Sequence, residues 1–165
     1  MRIIFCLILC LISGYSGLSE PKVTELRNLF YESESDKSAW AKFVKLVESV
    51  NTKSSPLLVC YKGVSEMMGA KYTVNPVSKL RKFKKGKFFI EEAVKREPAN
   101  IEIRFLRFSI QTNLPTFLGY NDQIKEDKLM LLNNLSKIRD KNLKTNIATY
   151  LSSSKYCTEE EKKKL

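Results

Sequence analysis

Apolar residues recur three and four positions apart along most of the chain, and no stretch alternates strictly between polar and apolar, so the pattern predicts an all-α fold. From Val23 to Glu34 the apolar positions are Val23, Leu26, Leu29 and Phe30, and Asp36 then caps a second helix bearing Trp40, Phe43, Val44, Val47 and Val50. Ser55-Pro56 opens a third helix, Leu57 to Ala70, with serine as the cap and proline in the first turn, where its missing N–H loses no hydrogen bond. Asn75-Pro76 repeats the device ahead of Val77 to Glu97, which places Leu80, Phe83, Ile90 and Val94 on its core side. Gly86 weakens the middle of that helix by up to ~1 kcal/mol and marks a candidate break.

The next segment, Ile101 to Asn113, carries two apolar stripes: Ile101, Phe105 and Phe108 on one, Ile103, Leu106 and Ile110 on the other. Arg104, Arg107 and Gln111 form a polar strip between them. A helix apolar on two sides is packed from both, which places it inside an array. Leu114 to Asn121 is a Pro- and Gly-containing loop with large apolar residues, expected to fold back on the core. Asp122 is the expected cap of a helix to Ile138, Asp140 that of another with Leu143, Ile147 and Leu151, and Thr158 to Glu161 form a capping box. Seven or eight short helices then form an array of antiparallel pairs, either a solenoid or an irregular helical bundle. Glu97-Pro98-Ala99-Asn100 resembles the turn between tetratricopeptide repeats, and helix starts near Lys22, Pro56, Ile101 and Lys141 recur at roughly the 34 to 45 residue period of such arrays. The helix after the turn lacks the repeat's glycine and aromatic positions, with Phe108 among the residues that depart, so the expectation is a degenerate helical repeat.

The chain's start changes the picture of where this array works. Arg2, the apolar run Ile3 to Ile12 and the small residues from Ser13 to Ser19 follow the order of a secretory signal peptide. The expected organisation is a signal peptide over 1–19, cleaved after Ser19 with Ser16 as the other site, and one domain over 20–165 that is periplasmic or secreted. Ten apolar residues are too few to span a bilayer, and Leu9 before Cys10 argues against a lipid anchor. Cleavage removes one of the 29 Lys and Arg residues and lowers the net charge from +11 to +10. It also leaves two cysteines, Cys60 and Cys157. They either pair in an oxidising compartment or remain thiols, Cys60 being buried on the helical face of Leu57, Val64 and Met67.

Between Lys95 and Lys128, the run Ile103 to Arg107, then Gln111, Pro115 to Asn121 and Asp127-Lys128 resembles a group of uncharacterised exported proteins of Bacteroidetes. That resemblance implies export and a helical fold, and no activity.

Candidate chemistry is bounded by a single count: the chain contains no histidine, which removes the commonest general base, nucleophile partner and zinc ligand. The carboxylate pairs Glu91-Glu92 and Glu126-Asp127 remain as acid–base candidates, although neighbouring positions on a helix point in different directions. No phosphate-binding glycine loop, EF-hand loop or CxxC pair is present, so no catalytic residue, metal or cofactor is assigned. Two binding surfaces are. Arg104, Arg107 and Gln111, with Tyr120 on the loop and Asp127, form a donor-rich strip suited to a carboxylate or phosphate. The structural alternative is that Arg104 or Arg107 pairs with Asp127 or Glu102 to hold neighbouring helices together. The second surface is a basic stretch of six cations in nine residues, Lys79, Arg81, Lys82, Lys84, Lys85 and Lys87. It suits an anionic polymer or membrane surface, against the alternative of a solvated helix face. The expected function is non-catalytic binding of a protein or peptide partner, with anionic-surface attachment as the alternative and nucleic acid disfavoured.

Overall fold

The computed structural model describes residues 22–165, and there the fold is all-α: eight α-helices, two single 3₁₀ turns and no strand. The leader expected over 1–19, with Cys6 and Cys10, lies outside the described residues. In chain order the helices are α1 (Val23–Glu32), α2 (Lys37–Leu46), α3 (Pro56–Gly69), α4 (Pro76–Arg96), α5 (Ile101–Asn113), α6 (Ile124–Asn134), α7 (Lys141–Ser153) and α8 (Glu159–Lys162). The 3₁₀ turns are Thr116–Leu118 and Leu135–Lys137.

Side-chain caps place most of the helix starts. Asp36 accepts from the Ser38 amide at 2.7 Å, Asn75 from Ser78 at 3.1 Å, and Asp140 from Leu143 at 3.0 Å. Asn100 accepts from both Glu102 and Ile103, and the Thr158–Glu161 capping box is complete. Two expected caps differ. Ser55 makes no side-chain bond, so α3 starts on the preset φ of Pro56. Gln123, not Asp122, precedes α6, and α6 stops at Asn134 before a 3₁₀ turn instead of running to Ile138.

Gly86 does not break its helix, because α4 runs unbroken for 21 residues. Its role is close approach: a Cβ on Gly86 would lie 2.7 Å from the Gly63 carbonyl oxygen, and one on Gly63 would lie 2.7 Å from the Gly86 carbonyl. The paired glycines bring the backbones of α3 and α4 together, and Ile90 and Ala93 are buried below them.

α3 touches α1, α2, α4 and α5, while α5 touches α3, α4, α6 and α7, so these two helices form the middle of the domain. That packing is compatible with a helical bundle or a short repeat array. On α5 both apolar stripes are covered, with Ile103, Phe105, Leu106 and Phe108 at most 1% exposed, and the polar strip between them is buried too. Two expectations are corrected by burial. Leu80 is 46% exposed and lies away from the core; Phe117, at the tip of the loop, is 85% exposed while its neighbour Tyr120 is buried. Of the two alternatives for the cysteines, the structure has the free thiols: Cys60 of α3 faces the Ile103 carbonyl of α5, and Cys157 sits in the turn before α8. No helix among the described residues is long and apolar enough to cross a membrane.

Candidate functional site

The polar strip of α5 does converge with Tyr120 and Asp127, and its geometry is that of an internal brace. Arg107 donates through Nε and Nη2 to the two oxygens of Asp127 at 2.7 and 2.8 Å, and through Nη1 to Glu91 at 3.0 Å. Glu91 also accepts from the Tyr120 hydroxyl at 2.5 Å, tying the loop to α4. Arg104 places Nε 3.0 Å from Asp127 and pairs with Glu126 through Nη2. Gln111 donates to Gln123 at 3.1 Å, and its carbonyl oxygen has no protein partner.

Asp127 is 0% exposed and Arg107 only 3%, so the charges are out of water and depend on one another. Burial acts to lower the Arg107 pKa, and the hydrogen bonds and charge of Asp127, with the charge of Glu91, outweigh it and hold the guanidinium ionised. Burial and the Glu91 carboxylate push the Tyr120 phenol well above its ordinary value. Every nitrogen of the Arg107 fork has a protein carboxylate, which is the helix-bracing alternative drawn from the sequence. Glu102 belongs to a second brace: Arg27 binds it at 2.9 Å through both Nε and Nη2, reaches Asp140 at 3.0 Å, and Tyr61 donates to it at 2.5 Å. Three of the four carboxylates named for acid–base work are engaged in the same way, Glu91, Glu126 and Asp127 each meeting an arginine.

The basic stretch divides once its partners are known. Lys82 and Lys85 both reach Glu66 of α3, at 3.6 and 2.7 Å, and Lys87 lies 4.8 Å over the Tyr120 ring. Lys79, Arg81 and Lys84 are exposed and make no ion pair among the described residues. Beside them lies the feature the sequence reading missed. Met67 of α3, Leu80 and Phe83 of α4, and Leu114, Phe117 and Leu118 of the loop line an apolar groove of about 500 Å³. Lys79 stands on its rim, and no acidic side chain lines it among the described residues. Two more apolar residues near the start of α4 are exposed, Val74 just before the helix at 94% and Val77 in its first turn at 67%. Periodicity assigned Leu80 to the core because it follows the α4 repeat; the loop stands across from it instead of covering it. The signal available in the sequence was the pairing of apolar positions with the densest cations.

Among the described residues no three acidic, cysteine or histidine side chains are grouped to hold a metal ion. The chain matches no known protein family, no curated protein and no solved structure.

Proposed function

We propose that this chain is an exported, non-catalytic domain that binds a protein or peptide partner in the groove between α3, α4 and the Leu114–Leu118 loop. One observation carries the reading: the groove is apolar, basic at its rim and left open by its own loop, with Phe117 standing 85% exposed beside it. Soluble domains cover such surfaces unless they bind something there. The arginine strip supports the reading from the other side, since its donors serve protein carboxylates and it holds the loop in place through Tyr120. Export rests on the signal-like leader and on the resemblance to exported Bacteroidetes proteins, and the absence of histidine fits a domain without chemistry of its own.

Panning a random-peptide display library against the purified domain tests the proposal. The selected peptides are expected to combine apolar and acidic residues, and Phe117→Ser is expected to weaken them about fivefold or more, the effect of losing an interface anchor. Phe117 makes little of the core, so the variant keeps its fold. Peptides that bind the variant as well as the wild type, or a library that yields no binder, would overturn it.

A further inference from the structure

Among the described residues, five of the six exposed large apolar residues lie on α4, just before it, or across its groove: Val74, Val77, Leu80, Phe88 and Phe117, with Leu129 elsewhere. Three of them share a line. Val77, Leu80, Lys84 and Phe88 are spaced by three, four and four, which puts them on one stripe of the helix. The opposite side of α4, with Gly86, Ile90 and Ala93, is buried against the array. The exposed stripe therefore faces outward, covers about 16 Å at 1.5 Å per residue, and has the spacing by which one helix packs along another.

We infer that the partner segment is an acidic amphipathic helix of about three turns, laid along the outer stripe of α4 with one apolar side chain entering the groove beside Leu80. The inference rests on the docking reading above and names its ligand. Charge selects the occupant. Lys84 lies within the stripe, Arg81 beside it and Lys79 on the groove, and the second hollow, of about 380 Å³ further along the same helix, is lined by Lys84, Lys87 and Lys95 with Phe88, Glu91 and Glu92, so cations outnumber acids there. A partner helix meets these cations with glutamate or aspartate beside its apolar seam. A second copy of α4 laid antiparallel and centred on the 77–88 stripe would set Arg81 against Lys84. A bilayer would meet a stripe one residue wide beside a concave groove that a flat surface does not fill.

The probe is a synthetic three-heptad peptide with a leucine seam and glutamate flanks, against an isomer with lysine flanks, titrated by fluorescence anisotropy. The glutamate peptide is expected to bind and the lysine isomer not. Leu80→Asp is expected to abolish binding. The double charge reversal Arg81→Glu and Lys84→Glu is expected to weaken the glutamate peptide roughly tenfold, about 1.4 kcal/mol, and to admit the lysine isomer. These positions are exposed, and the exchange of flanks on the peptide keeps the test valid without any variant. Equal binding of both peptides would overturn the inference, as would binding to phosphatidylglycerol vesicles without binding to either peptide, or self-association that Leu80→Asp dissolves. Loss of display-selected peptides on Phe117→Ser with no binding of the glutamate helix would remove the helix and leave the docking reading standing; failure of both would remove both.

Discussion

Arg107 sits at the crossing of three elements and is the side chain on which the interior electrostatics depend. It holds Asp127 of α6 with two bonds and Glu91 of α4 with a third, and through Glu91 it reaches Tyr120. Truncation to alanine leaves the Asp127 carboxylate buried beside Arg104 alone, and breaking a buried pair in that way costs about 3 to 5 kcal/mol. Arg107→Ala is therefore expected to lower Tm on the order of 10 °C, measured by circular dichroism. A ligand-binding arginine would instead leave Tm near the wild-type value. Replacing both partners by apolar residues, Arg107→Met with Asp127→Leu, is expected to lose much less than the single truncation, because no charge is then left buried alone.

At the scale of elements, the α3–α4 pair shows a helical glycine used for contact where propensity alone argues for alanine. Alanine gains up to about 1 kcal/mol in a helix interior. At position 86 its Cβ would meet the Met67 side chain and lie 2.7 Å from the Gly63 carbonyl oxygen, a backbone atom that yields only if the helices part. Gly86→Ala is expected to destabilise by about 1 to 3 kcal/mol net, whereas a break at this glycine would make the same change stabilising; urea midpoints at unchanged slope distinguish them. The helix spans themselves were legible because periodicity and caps agree, as at Asn100 before Ile101–Asn113. What periodicity does not carry is which elements lie opposite one another. It put Leu80 on the core side, since the apolar spacing of α4 is the same whether or not a loop covers that face. It also read Arg104, Arg107 and Gln111 as a line of donors without showing that Glu91, Asp127 and Gln123 arrive from other elements to meet them. Gly86 was visible as an anomaly, and its partner Gly63 was not, because their proximity is set by packing between helices.

At the scale of the whole molecule, among the described residues the ion pair that spans the most sequence runs from α1 to the start of α7: Arg27 bridges Glu102 and Asp140, the latter 113 positions away. Asp140 both caps α7 and receives that arginine, and the Leu143 backbone amide, followed by Arg27, lowers its pKa below the ordinary aspartate value. A carboxyl with a depressed folded pKa gives stability above its unfolded pKa, near 4, and loses it as pH falls through the lower folded value. Asp140→Asn keeps a capping oxygen and removes the charge. Its side chain is 48% exposed, so water screens the pair and the loss at neutral pH is expected to be no more than about 1 kcal/mol, a few degrees in Tm. Thermal melts from pH 7 downward are expected to show the variant below the wild type at neutral pH, with the two curves converging as pH drops below about 4. A gap that persists at pH 2 would mean that the loss lies in cap geometry, and a gap that widens toward acid would reverse the sign assigned to this bridge.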